Sequence, residues 1–302
     1  MKNVTLSKRL QMLAGMVTPG NRLVDVGCDH GYLSIYLVQK GICPEGIAMD
    51  VRQGPLACAE EHVRESGLGD YIKVRLSDGL GAYAAGEAET MVCAGMGGRL
   101  MGRILSESME KAKSFQELIL QPQSELEEFR EFLRKAGFAV TEEEAVCEEG
   151  KFYFAMKAVP LGADVMAFME ARETKEATNA RETTESKEAA GFRETMEAKE
   201  VTDSRETMEA KEVTDSRETT ESKEATGSRE STQTLYDMFG ELLLEKRHPI
   251  LLEYLIQRRK HLEGLLACLK SENSERAKGR RMEVEKEISA VLDAMALFVA
   301  VP

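Results

Sequence analysis

The chain has 302 residues, 42% of them hydrophobic, and a formal net charge of −13 at pH 7, enough for an α/β domain with extra elements and a real core. The acidic balance speaks against binding nucleic acid through bulk charge, but residues 172–230 alone hold 11 basic and 17 acidic side chains, so total charge is a poor guide to the rest. Six cysteines without C-x-x-C or zinc-finger spacing, no apolar stretch at residues 1–6 and no run of about 18 apolar residues exclude a disulfide framework, a metal module and a membrane anchor, and lead us to expect a cytoplasmic protein with reduced thiols.

Residues 1–160 alternate short apolar runs with helical periods. Strands are expected at 22–26, 46–50, 72–76, 90–94, 117–121, 137–141 and 152–158, and helices at 5–16, 31–40, 54–66, 98–111 and 124–136. Strand and helix alternating at this spacing predict an α/β fold with a Rossmann-like, doubly wound, mostly parallel sheet. The last two strands, joined by an acidic turn from Glu142 to Gly150 with no helix between them, read as an antiparallel pair at the sheet edge.

Residues 161–234 form a second regime. Arg-Glu-Thr or Arg-Glu-Ser recurs at 172, 181, 193, 205, 217 and 229, mostly at a twelve-residue interval. Each unit carries about two apolar side chains, such as Met208 and Val213, too few to offset the entropy of ordering. We expect disorder or a transient charged helix, the product of repeat expansion. Residues 235–302 regain helical periodicity: Pro249 suits a first turn, leucines follow to Leu269, and Val284, Ile288, Val291, Met295 and Phe298 alternate spacings of four and three, a coiled-coil seam. Two helices folded as an antiparallel hairpin are predicted, able to pair within one chain or to make a weak homodimer.

The chemistry sits at strand ends. Asp25-Val26-Gly27-Cys28-Asp29-His30-Gly31 closes the first strand with a glycine turn before a helix, where backbone can approach a ligand and helix N–H groups are free. Its spacing is not the dinucleotide G-x-G-x-x-G, because Asp29 stands at the middle glycine. It is nearer the acidic glycine turn of S-adenosylmethionine (SAM) enzymes. Asp50, with Val51, ends the second strand where a carboxylate accepts from ribose hydroxyls. Asp78-Gly79-Leu80 ends the third and can hold an adenine amine. Gly95-Met96-Gly97-Gly98 ends the fourth, allowing close backbone approach, and Gln121-Pro122 ends the fifth at the same rim. In an open parallel sheet, that edge is where ligands bind.

Taken together, Leu6-Ser7-Lys8-Arg9-Leu10, Asp25 to Leu33 with its Gly-Cys-Asp-His-Gly-Tyr-Leu core, Asp78-Gly79-Leu80, Ala94-Gly95-Met96-Gly97-Gly98 and Leu120-Gln121-Pro122 closely resemble the bacterial tRNA (adenine-22-N1)-methyltransferases. Glu149-Gly150-Lys151-Phe152-Tyr153 and Lys246-Arg247-His248-Pro249 are similar too. The resemblance covers residues 5–160 and 235–270; the insertion at 161–233 and the tail after 270 depart from it. It implies a SAM domain with a helical, coiled-coil-like appendage that helps hold tRNA, and methylation of N1 of adenine 22.

On that reading Asp29 and His30 are the candidate catalytic residues, Asp29 through the adenine N6 amine or as a direct SAM contact and His30 by orienting substrate. Tyr32 is a candidate for stacking on a base. Positive charge for tRNA is expected from Lys8, Arg9, Lys246, Arg247, Arg258, Arg259 and Lys260, with Arg280 and Arg281 beyond. Alternatives are a SAM enzyme acting on another RNA base or a small molecule, a SAM- or RNA-binding protein without catalysis, and an NAD-dependent dehydrogenase.

Overall fold

The computed structural model describes residues 4–162, 232–270 and 274–299. The repeats therefore lie outside the described residues. Residues 1–160 and 232–302 group as one compact unit.

The order of elements follows the alternation in the sequence: α1 (Lys8–Met16), β1 (Leu23–Val26), α2 (Tyr32–Gln39), β2 (Gly46–Asp50), α3 (Gln53–Glu65), β3 (Ile72–Leu76), β4 (Thr90–Met96), α4 (Gly98–Glu107), α5 (Met109–Ala112), β5 (Glu117–Pro122), α6 (Leu126–Lys135), β6 (Phe138–Glu148) and β7 (Lys151–Pro160). The seven strands form one sheet in the order β3-β2-β1-β4-β5-β7-β6. The first five are parallel, and β7 runs antiparallel to both β5 and β6. Every residue of β1, β2 and β5 is buried, as strands covered on both faces require, whereas edge strand β3 is exposed at Leu76.

Side-chain alternation divides the sheet into two faces. Val24, Val26, Met49, Leu118 and Leu120 pack with Met101, Leu105, Phe129 and Leu133 of α4 and α6. Leu23, Val92 and Ile119 point the other way, onto Leu13 and Met16 of α1 and Leu33 and Leu37 of α2. Ser7 caps α1 by accepting from the Leu10 amide, and Glu148 at the far end of β6 accepts from the amides of Lys8 and Arg9. A carboxylate on free N–H groups at a helix start is favourable in its own right.

Two expected boundaries are corrected. The acidic stretch after Val140 is not a turn. After a bulge between Val140 and Glu142, β6 continues to Glu148 and only Glu149-Gly150 turns, both at positive φ. The acids are tolerated in a strand because partners distant in sequence meet them: Lys157 at Glu142, Arg130 at Glu143 and Lys246 at Glu144. The helix expected over 98–111 breaks at Ser108, whose φ −132° and ψ 40° separate α4 from α5.

The chain re-enters as α7 (residues 232–239), three residues before the expected boundary, followed by α8 (Glu241–Glu245), α9 (Pro249–Lys270) and α10 (Glu275–Val299). The polar stretch from Ser271 to Gly279, between the leucine run and the seam, reads in the sequence as a link, yet α10 already begins at Glu275. Leu255 and Leu262 of α9 and Val284 and Val291 of α10 share a core with Ala145 of β6 and Phe154 of β7. Arg258 bonds Glu287 at 2.9 Å, and the two are equally far from the helix ends nearest the connection, as in a hairpin.

A buried ion pair docks this appendage. Arg130 of α6 donates from Nε to Glu143 of β6 at 2.9 Å, with side chains 6% and 1% exposed. Its Nη1 also donates to the carbonyls of Asp237 and Met238, and the second Glu143 oxygen accepts from the Leu242 amide. Arg134 adds a two-pronged pair with Asp237. Removing one member strands the other in a low-dielectric interior, which typically costs about 3–5 kcal/mol, whereas replacing both with apolar groups costs much less. Glu143→Leu alone is therefore expected to lower the urea midpoint by that stability, and Arg130→Met combined with Glu143→Leu to recover most of it.

Candidate functional site

The sheet grows from β1 out through β2 to β3, then returns to β4 on the other side of β1. At such a reversal the loops after the two central strands diverge and leave a crevice. Here it is a cavity of about 630 Å³, walled by the loops after β1, β2, β3 and β4 together with α1 and α4.

Gly27 carries φ +76°, and a Cβ there would lie 2.1 Å from Met96 Cε. The Met96 methyl end therefore packs on this turn, and it is the positive φ, more than that flexible contact, that favours glycine here. Gly27 and Cys28 both donate their amides to the Met49 carbonyl, at 2.8 and 2.9 Å, which ties the loop to the end of β2. Asp29 follows at φ +50°, a left-handed conformation that Asp adopts more readily than most residues. Gly95, at φ +82°, is the matching bend within the last residues of β4, where its pairing with β5 shifts register.

Asp25 is buried in β1 and reaches the cavity wall, accepting from the Ser34 hydroxyl at 2.9 Å. Burial pushes its carboxyl up to about 6, with a further rise from the Asp50 charge and some relief from Ser34. Asp50 is also buried; one of its oxygens accepts from the Arg52 amide at 2.9 Å, with Arg52 Nε at 3.6 Å. Cys28 and Cys93 are buried thiols: burial and the Asp25 charge raise both, Cys93 to about 12, which leaves them protonated and inert.

At the mouth, Asp29 and His30 are exposed, Oδ2 of one 3.6 Å from Nε2 of the other. Tyr32 is 39% exposed and stacks on His62 of α3, with ring centroids 4.8 Å apart and planes tilted by 20°. His62 Nδ1 donates to the His30 carbonyl at 3.0 Å, so the aromatic group is held from below.

Of the residues expected from sequence, Arg9, Asp25, Gly27, Cys28, Asp29, His30, Tyr32, Asp50, Val51, Asp78, Gly79, Gly95 and Met96 line the cavity. Others stand behind it. Gly31 is the left-handed N-cap of α2 and backs onto Ala59. Leu80 is a core residue, 1% exposed. Gly98 lets α4 approach the Ser124-Glu125 backbone, and Gly97 faces the side chains of the same two residues. Gln121 is fully buried, and Pro122 pairs with Met96 at the end of β5. Lys8 gives its amide to Glu148.

The cations expected on the C-terminal helices lie away from the cavity lining, and several are internally paired: Lys246 with Glu144, Arg258 with Glu287 and Arg259 with Glu263. Arg247 closes the turn after α8 at φ +49°, and Lys260 lies on an exposed face of α9. Arg52, Leu100, Arg103, Ile104 and Gln123 line the cavity without having been singled out. For α4 a signal existed, because positions 100, 103 and 104 share a helix face; the Tyr32–His62 stack had none, since it joins two separate helices. Among the described residues no three His, Cys, Asp or Glu cluster as a metal site, and no helix is long and apolar enough to cross a membrane.

A family model described as a methyltransferase domain matches residues 6–156. The tRNA (adenine(22)-N(1))-methyltransferase of Bacillus subtilis strain 168 is 38% identical over 158 residues, 52% of this chain and 66% of that protein, just under two thirds of its length. The crystal structure of the Bacillus subtilis m1A22 tRNA methyltransferase superposes with a TM-score of 0.67 at 23% identity, over 97% of this chain and 99% of that one, a likeness of fold. A Streptococcus pneumoniae protein in complex with S-adenosyl-L-methionine gives a TM-score of 0.66 at 25% identity, over 96% and 99% of the two chains.

The buried Asp25 sets a pH signature. Its carboxyl ionises near 3.8 when unfolded and about 6 when folded, so between those values the folded state keeps a proton that the unfolded state has released. Stability from this group is therefore present below about 4, falls as pH rises through 6, and is lower by roughly 3 kcal/mol above it, taking 1.36 kcal/mol per unit. Asp25→Asn, which can still accept from Ser34, is expected to melt higher than wild type at pH 7 and to show no gain at pH 4.

Proposed function

The chain belongs to the methyltransferase domain family, and we propose that it transfers the methyl group of SAM to N1 of adenine 22 in the D-stem of tRNA. The observation that carries this reading is the meeting of two motifs at one cavity. The Gly-Cys-Asp-His-Gly-Tyr-Leu turn after β1 and the Ala-Gly-Met-Gly-Gly turn after β4 are what the resemblance rests on, and Gly27 and Met96 close them against each other.

The residues present suit SAM. It carries an ammonium and a sulfonium, and Asp25 is a buried carboxylate with no cation bonded to it among the described residues. The second oxygen of Asp50, free of hydrogen bonds among those residues, is placed for ribose hydroxyls. The Asp78-Gly79 turn lines the same wall for the adenine end. When bound, SAM supplies an electrophilic methyl group on sulfur.

This chain's residues must then position and stabilise. Adenine N1 has an in-plane lone pair, so no proton has to be removed first, and alignment is the main requirement. N1 lies on the Watson–Crick edge, so the base must leave its partner. Tyr32, exposed at the mouth and braced by His62, offers a face for it. The product is a cation, and the Asp29 carboxylate, which lines the cavity, would stabilise the growing charge through the N6 amine. His30, 3.6 Å from Asp29 at the same mouth, would orient the substrate.

The test is transfer of labelled methyl from SAM to unmodified tRNA transcripts with adenine or guanine at position 22. Label on the first alone is expected. Equal label on both moves the site elsewhere in RNA, and none on either with SAM bound moves the substrate to another class. Within that assay, Asp29→Asn keeps a residue tolerant of positive φ and removes the charge. It is expected to lower kcat by roughly 10²-fold with SAM affinity unchanged; a loss of SAM affinity at constant kcat makes Asp29 a cofactor contact instead.

A further inference from the structure

Arg9 differs from the arginines of the C-terminal helices in how its charge is held. Its Nη1 donates to Oε1 of Gln121 at 2.9 Å, and its guanidinium carbon lies 5.6 Å from the centre of the Tyr153 ring. Both partners are neutral. Glu148, which feels the Arg9 charge, is engaged by the backbone amides of Lys8 and Arg9 at 2.7 and 3.4 Å, and among the described residues no carboxylate lies within ion-pair distance of the guanidinium. Arg258, Arg259 and Arg280 by contrast bond Glu287, Glu263 and Glu283.

Gln121 explains the arrangement. It sits in β5 with no exposed surface, and a buried amide must be satisfied on both atoms. Its nitrogen donates to the Pro122 carbonyl at 3.1 Å and its oxygen is satisfied by Arg9. A leucine would fill β5 without those demands. What the amide adds is a fixed guanidinium at the cavity, beside Gly95, where a Cβ would stand 3.3 Å from Nη1. A cation held by neutral groups keeps its field for a ligand and still presents donors in a planar fork.

We propose that Arg9 is the receptor for an oxyanion of the bound ligand and that Gln121 is its positioning residue. Resting on the methyltransferase reading, the oxyanion is either the carboxylate at the amino-acid end of SAM or an RNA phosphate beside the target nucleotide; both offer the same chemistry to a guanidinium.

The test uses the full chain and binding measurements, so it does not depend on turnover. SAM affinity is read by calorimetry, and tRNA affinity by filter binding across a salt series, for wild type, Arg9→Gln and Gln121→Glu. The last places a carboxylate of equal size against the guanidinium; Arg9→Gln, on a half-buried helix residue, keeps the test open if Gln121→Glu does not fold. A loss of at least about tenfold in SAM affinity with tRNA affinity intact assigns the cofactor carboxylate. A similar loss for tRNA, with a salt slope lower by about one, assigns a phosphate. Folded variants that bind both as wild type does overturn the proposal. A wild type that binds SAM and RNA but transfers no methyl overturns the methyltransferase reading alone, because the Arg9 comparison is still decided by binding.

Discussion

The site depends on the sheet reversing its direction of growth between β1 and β4. Two adjacent parallel strands whose following helices pack on opposite faces cannot have their loops close over the gap, so a crevice is a consequence of topology. How narrow it becomes is set by contacts between loops. Gly27 lets Met96 cross directly over the first turn, so the two central loops brace one another. Asp25 and Asp50 then stand on neighbouring strands, both buried, and near enough that the Asp50 charge disfavours ionisation of Asp25. A protein selected only for stability would place apolar side chains there. Keeping a carboxylate at the centre of the sheet is the kind of local cost that binding sites carry.

The second constraint is covalent. After β7 the chain departs through 69 residues outside the described structure and must return to the same body. Arg130 and Glu143 supply the specificity of that return. Each has hydrogen bonds beyond the pair, to the Asp237 and Met238 carbonyls and to the Leu242 amide, so the ions are satisfied only when α7 and α8 are seated. A buried ion pair contributes little net stability, but it penalises every arrangement in which one member is unpaired. The same economy bears on the positive charge of the C-terminal helices: Lys246 ties the appendage to β6 and Arg258 ties α9 to α10, while Arg259 is paired within α9 to Glu263.

What the sequence made legible follows the range of the forces involved. Strand and helix positions in 1–160 are local, periodic signals, and the glycine turns announce themselves because few residues tolerate their geometry. Most residues expected at the strand ends line the cavity for that reason. The acid run of β6 misled because strand membership there depends on Lys157, Arg130 and Lys246, none of them nearby in sequence. Gln121 was expected at the rim and lies behind it, since alternation along β5 decides which face a side chain takes. The basic clusters misled in the opposite direction. A run such as Arg258-Arg259-Lys260 is conspicuous in a sequence, yet its field depends on its partners: Glu263 lies four residues from Arg259 on the same helix and is legible, whereas Glu287 meets Arg258 across the hairpin, which local composition does not record.

Charge pairing also frames the cavity itself. Asp25 is a buried anion bonded to a hydroxyl, and Arg9 is a cation bonded to an amide and an aromatic face. Both line the same cavity, and neither is the ion-pair partner of the other or of any other described residue. Had the fold brought them together, each would be neutralised and the site would present little net field. Held apart on β1 and α1, they leave one positive and one negative attachment point, each already oriented by a neutral neighbour. On the proposed reading, a ligand with both charges, such as the ammonium and carboxylate of an amino-acid end, would pair with the two at once. Pairing Asp25 with a cation would then offset part of its burial cost, so burial that weakens the free protein at neutral pH would be returned as affinity when the cavity fills.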